Sequence, residues 1–136
     1  MRYAWPVPLL AVLASACPSP EHYDEGIICI DPDVPANFQE GDVVSFTVIL
    51  DECMHCPKEF NAACSVTRDG DEITLDVGGY YKKRQGGCEA CIILKTACEI
   101  GGLSPGTYTV RSGSHKLVVN LGSDDPVELD PACDGK

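Results

Sequence analysis

Basic residues are scarce in this 136-residue chain: 10 Lys and Arg stand against 21 Asp and Glu, a formal net charge of −11. A deficit of this size excludes general affinity for nucleic acid, because a phosphate-binding face needs a positive field. No segment after Gly26 keeps a helical apolar period beyond about two turns, which excludes a coiled coil or a helical bundle. No apolar run reaches the roughly 20 residues that a membrane-spanning helix needs. Familiar catalytic signatures are missing as well, with no H-E-x-x-H and no Gly-Lys loop to cradle a phosphate. The three histidines, His22, His55 and His115, are scattered, and Ser114-His115 reads as a hairpin tip. With 44% apolar and 23% charged residues, the composition is that of one packed globular domain and not of a disordered chain.

Cysteine, by contrast, is abundant, with nine residues. The chain opens Met1-Arg2 and continues through an apolar run to Ala14-Ser15-Ala16. One positive charge, a short apolar stretch and a small-x-small end are the pattern of a cleaved signal peptide over residues 1–16. Pro6 and Pro8 interrupt the run, which disfavours its use as a permanent anchor. An exported chain meets an oxidising compartment, so cysteine spacing is read first as a disulfide framework.

The stretch Leu13-Ala14-Ser15-Ala16-Cys17 resembles the lipobox of bacterial lipoproteins, with Ala14 at the position where the family usually has Leu. The resemblance implies that Cys17 becomes the lipid-modified first residue, that residues 17–25 form a tether, and that the partner is a membrane. Pro18, in place of an Asp after the lipidated Cys, implies the outer membrane as destination. The alternative is conventional secretion with Cys17 as a plain N-terminal residue. Parity speaks for lipidation: without Cys17, eight thiols remain, namely Cys29, Cys53, Cys56, Cys64, Cys88, Cys91, Cys98 and Cys133, and all eight can pair. Removing the leader takes Arg2 with it and leaves the mature chain at −12.

Over residues 26–136, short apolar runs alternate with Gly, Pro and Asp clusters. Val44, Phe46, Val48 and Leu50 alternate with polar neighbours, as do Ile73, Leu75 and Val77, and again Leu117, Val119 and Leu121. Period-two alternation predicts strands with one buried face. Asp69-Gly70 and Ser112-Gly113-Ser114 sit where hairpins turn. About seven strands are expected, near 26–31, 42–50, 63–68, 71–78, 91–99, 106–111 and 115–121, in an all-β, disulfide-rich two-sheet sandwich. The stretch Gly102-Leu-Ser-Pro-Gly-Thr-Tyr108-Thr-Val110 resembles the turn into the sixth strand of immunoglobulin-like and fibronectin type III modules. That resemblance implies a tyrosine corner at Tyr108. Val110 stands where an antibody-type domain has its Cys, and the only Trp, Trp5, lies in the leader.

Two C-x-x-C pairs, Cys53-Met54-His55-Cys56 and Cys88-Glu89-Ala90-Cys91, carry the strongest chemical suggestion. A sandwich sets the second and fifth strands antiparallel in one sheet and brings both pairs to one end. Four thiolates there can bind zinc, or copper with Met54 and His55 as further ligands, or they can form two disulfides. Cys64 is expected at the same end and Cys98, Cys133 and Cys29 toward the other. Two groups of odd size require at least one bond between them. A thiol-redox reading of Cys53–Cys56 needs a helix N-terminus to stabilise the thiolate, and residues 57–63 supply at most a turn or two of helix. Acidic residues at Asp31-Pro-Asp33, at Asp69-Gly-Asp71-Glu72 and in the tail from Asp124 to Asp130 read as solvated turns and a charged tail, without the spacing of a calcium loop. Tyr80, Tyr81, Lys82, Lys83 and Arg84 gather three of the nine mature positive charges beside two rings. They form a candidate loop for an anionic glycan or an envelope protein, weighed against a plain solvated connection.

These observations point to a lipid-anchored, extracytoplasmic structural or binding module of the bacterial envelope, with no cofactor and no catalytic residues. The competing reading is a metal-handling or thiol-redox envelope protein using Cys53, Cys56, Cys88 and Cys91.

Overall fold

A computed structural model describes residues 21–23, 25–55, 57–83 and 91–134, with side chains placed over 25–50, 61–78 and 93–134. Seven strands match the expected ones: β2 (Gly26–Cys29), β3 (Val44–His55), β4 (Pro57–Asp69), β5 (Glu72–Lys83), β6 (Cys91–Ile100), β7 (Gly106–Ser112) and β8 (His115–Leu121). An eighth, β1 (Glu21–Tyr23), lies in the stretch expected to be tether and pairs antiparallel with β5, Glu21 opposite Tyr81 and His22 opposite Tyr80. Three residues carry too little pattern to be read as a strand; the pairing partner supplies the order.

The strands form a three-stranded sheet, β2-β3-β6, and a five-stranded sheet in which β5 is flanked by β4 on one side. On its other side β5 pairs with β7 along Glu72 to Thr74 and with β1 along Gly79 to Tyr81, and β8 continues outward from β7. The β5–β7 pairing is parallel, in contrast to the antiparallel pairing of every other neighbour.

The two inner faces make one core. Val44, Phe46, Val48 and Leu50 of β3 meet Ile73, Leu75 and Val77 of β5, Tyr108 and Val110 of β7, and Leu117, Val119 and Leu121 of β8. Alternation decides which residues enter, since a one-residue slip would turn each of these sets out to solvent. A bulge between Ile49 and Cys53 shifts the β3–β6 register beyond the core.

The two ends of the sandwich are built differently. At one, which we call the crossover end, β3 passes into β4 of the other sheet across a single intervening residue, and the chain crosses back between Lys83 of β5 and Cys91 of β6. At the other, the turn end, lie the hairpin turn at Gly70 and Asp71, the segment 101–105 and a short helix, α1 (Val34–Asn37). Pro35 in its first turn has its φ pre-set for the helix, and its carbonyl accepts a 2.7 Å bond from the Gly122 N–H beyond β8.

The flanks are closed by sulfur and by hydrogen bonds. Cys64 on β4 is bonded to Cys98 on β6, joining the outer strand of one sheet to that of the other. On the opposite flank, Gly26 N–H donates to the buried Ser112 hydroxyl at 3.3 Å. There too Cys29 on β2 is bonded to Cys133 in a 3-10 turn, Pro131–Asp134. The acidic segment expected to be a solvated tail therefore runs as a strap: Asp124, Asp125, Glu128 and Asp130 are exposed, while Val127 and Leu129 pack against the core. Alternating exposure in an extended chain explains how a charged segment can be held down.

Candidate functional site

The crossover end collects most of the residues singled out above. Register places Cys91 opposite His55 and Cys53 opposite Ile93 on the β3–β6 ladder, so one cysteine of each C-x-x-C pair sits at the same end of the three-stranded sheet. Cys56 and Cys88 lie outside the described residues, as do Cys17 and Arg84. The two observed disulfides consume Cys29, Cys133, Cys64 and Cys98. Cys64 and Cys98 were assigned to opposite groups by the parity argument, and they are joined to each other.

Residues 57–63 run as strand paired with β5, which corrects the expectation of a helical turn. Pairing explains the change: Phe60, Asn61, Ala62 and Ala63 face Tyr81, Tyr80, Gly79 and Gly78, and a neighbouring strand overrides weak local helix preference. Without a helix starting at Pro57, no helix dipole is aimed at the Cys53 motif.

Tyr80 to Lys83 belong to β5 and not to a loop, with β4 and β1 on either side at Tyr80 and Tyr81. Lys82 is opposite Glu59 and Lys83 opposite Pro57. Lys58 falls between these positions, so four of the ten basic residues of the chain, counting Arg84, follow or flank this row in sequence.

The three histidines do not converge. His22 is aligned with Tyr80 of β5, whereas His115 is opposite Ser112, one step past the Arg111 aligned with Thr74. Their positions are about five residues apart along the sheet, roughly 17 Å, too far for a shared metal.

The β7–β8 hairpin tip, level with the middle of β5, is occupied structurally. The Ser114 N–H donates to the Glu25 carboxylate at 2.7 Å and the Ser114 hydroxyl at 3.1 Å. These bonds, the backbone one first, hold the Glu25 pKa below its ordinary value, with His115 adding a smaller push in the same direction. Gly113 is required twice over. Its φ is +56°, and a Cβ there would enter the Glu25 side chain.

At the turn end, the Tyr108 hydroxyl donates to the Ser104 carbonyl at 2.7 Å and accepts from the Ser104 N–H at 3.2 Å. Arg68 lies over the Tyr108 ring at 5.5 Å and donates to the Gly70 and Gly102 carbonyls. Residues 102–106 also spell G-x-S-x-G around Ser104. The context is not that of a nucleophile elbow, because β7 follows instead of a helix. The Ser104 hydroxyl donates to Glu40 and not to a histidine.

Asp31 spends a carboxylate oxygen on the Asp33 N–H in the turn before α1. A shallow depression, about 260 Å³ and lined by Val34, Asn37, Phe38, Asp42 and Val43, is the concavity of this end. Val43 is 64% exposed there. Sequence reasoning missed this depression, the Glu25 clasp and the strap. Only the strap left a signal, the alternation of Val127 and Leu129 with acidic neighbours. No protein family, curated protein or solved structure matches the chain.

The two disulfides place the domain in an oxidising, extracytoplasmic setting. Among the described residues no helix is long and apolar enough to cross a membrane.

Proposed function

We propose that this protein is a lipid-anchored envelope module of a bacterium, held through acylated Cys17, destined for the outer membrane and acting by binding or by structure without catalysis. The observation that carries the reading is the use of sulfur: Cys64–Cys98 and Cys29–Cys133 sew outer strands and the C-terminal strap to the sandwich. The immunoglobulin-like resemblance gains support from the Tyr108–Ser104 pair. The parallel β5–β7 pairing sets this sandwich apart from the all-antiparallel sheets of that family. An envelope protein or glycan is the partner class, and the depression around Val43 is the surface offered to it. The strand at Pro57 speaks against thiol-redox chemistry at Cys53. A zinc or copper site on Cys53, Cys56, Cys88 and Cys91 is the competing outcome.

The test is the native protein made with its own leader. A chain that starts at Cys17 with acyl mass, fractionates with membranes and is released to the soluble fraction by Cys17→Ser supports the reading. A soluble, unacylated chain carrying a transition metal contradicts it.

A further inference from the structure

We infer that the crossover end is a membrane-contact surface, with the β4–β5 margin around Tyr80 to Lys83 lying on the phospholipid headgroups of the leaflet that holds the acyl chains. The inference rests on the proposed acylation of Cys17.

Chain length carries the first step. Three residues separate Cys17 from Glu21, and the four Cα-to-Cα steps, fully stretched, reach at most about 14 Å. Glu21 is the first residue of β1 and is aligned with Tyr81. Because β1 and β5 are antiparallel, the chain arriving at Glu21 comes from the direction in which β5 runs on to Lys82 and Lys83. The anchor therefore cannot leave the neighbourhood of this end, and the domain stands on it with α1 and the Val43 depression at the far side.

Composition carries the second step. Tyr rings and Lys side chains together are the residues that settle at a lipid–water interface, rings at headgroup depth and ammonium groups on lipid phosphates. Each basic residue near an anionic surface strengthens binding about fivefold, and one lipid chain plus a basic patch is a stronger anchor than the chain alone. Glu21 and Glu59 flank the row and Asp51 and Glu52 lie on β3, so the cationic contact is confined to the β4–β5 margin in a chain otherwise repelled by anionic lipid. An independent apolar signal sits on β6 at the same end: Ile93, opposite Cys53, is 56% exposed.

The mature chain has no Trp, so a single introduced Trp reports its own position. Acylated protein carrying Tyr81→Trp or Val43→Trp is placed in phosphatidylethanolamine–phosphatidylglycerol vesicles containing a lipid with a headgroup-depth spin label. Tyr81→Trp is expected to lose most of its emission and Val43→Trp to keep it. In parallel, unsubstituted acylated protein in the same vesicles is treated with an amine-reactive reagent. Lys82 and Lys83 are expected to be modified about fivefold more slowly than in the unacylated Cys17→Ser protein in solution, with the exposed Lys116 of β8, level with Thr74, unchanged. If Tyr81→Trp does not fold, the lysine measurement stands alone. Acylated protein with Lys82 and Lys83 as reactive as in solution, or with Val43→Trp the quenched variant, overturns this inference. Protein that carries no acyl group overturns the anchoring it rests on.

Discussion

The two ends of the sandwich solve the same problem, closing two sheets over one core, by different means. The turn end uses packing and hydrogen bonds: α1 laid against β8, Tyr108 bonded to Ser104, and Arg68 stacked on Tyr108 and tied to two carbonyls. The crossover end uses covalent continuity, the chain passing twice between the sheets with cysteines beside each passage. The difference separates two ways of closing a sandwich: contacts where strands turn back within a sheet, and continuous backbone where the chain changes sheet. A core whose large buried members are two Phe, one Tyr and aliphatic residues is sealed at the turn end by side-chain contacts, whereas the crossover end is joined by the backbone itself.

The largest effect is expected from reduction. By chain entropy alone, loops with separations of 34 and 104 residues contribute about 4 and about 5 kcal/mol, comparable with the whole net stability of a domain this size. Circular dichroism in excess dithiol should show an unfolded chain at 37 °C; a reduced protein melting near the oxidised one would mean that packing holds both ends.

Next come the individual bonds. Cys64→Ala with Cys98→Ala should cost about 4 kcal/mol in denaturant titration, with an added cavity penalty because Cys98 is fully buried. Cys29→Ala with Cys133→Ala should release the strap. Hydrogen exchange is expected to lose protection from Cys133 back through Leu129 and Val127 while the β3–β6 ladder keeps it. Loss of protection throughout the sheets would show that the strap is part of one cooperative unit.

A matched glycine pair separates backbone strain from side-chain contact. Gly113 and Gly70 have nearly equal φ, +56° and +59°, so Gly→Ala costs each about 1 kcal/mol of backbone strain. Only Gly113 faces an occupied position, the Glu25 side chain, whereas Gly70 faces open space. Gly113→Ala should therefore be more destabilising by about another 1–2 kcal/mol, and equal effects would dissolve the clasp. Tyr108→Phe removes the hydroxyl from Ser104 and should cost about 1 kcal/mol, leaving the crossover end untouched.

The smallest expected effect is on pH dependence. Glu25 has a folded pKa below its unfolded value, so its contribution is present above the ordinary carboxylate range and fades as pH falls through the depressed folded value. Glu25→Gln should flatten the acid limb of the stability curve slightly, and a variant as acid-sensitive as the parent would show that the Ser114 bonds are not coupled to folding.

Seven strands were legible because one face of each had to be apolar, and Phe46, Leu75 and Val119 announce that face by alternation. The extension of β4 and β5 to Pro57 and Lys83 was not, because residues 79–83 and 57–60 pair with each other and their sequence carries no apolar alternation. Tyr80 to Arg84 consequently read as a loop. The β1 pairing was hidden for the same reason. Cysteine identity and parity were visible, but the pairing of Cys64 with Cys98 depends on which outer strands lie side by side, a tertiary fact. Of the candidate site, the residue types were visible and their gathering at one end was expected, whereas the arrival of the N-terminal segment beside Tyr81 required the β1–β5 register.

The proposed function requires the thiols to be used up in cross-links and an anchor. The most direct test is the intact mass of the native mature protein, denatured without reductant and treated with a thiol-blocking reagent. The prediction is an acylated chain starting at Cys17, lacking eight hydrogens for its eight remaining cysteines and taking up no blocking group. A chain that takes up four blocking groups and releases zinc or copper on denaturation would contradict it.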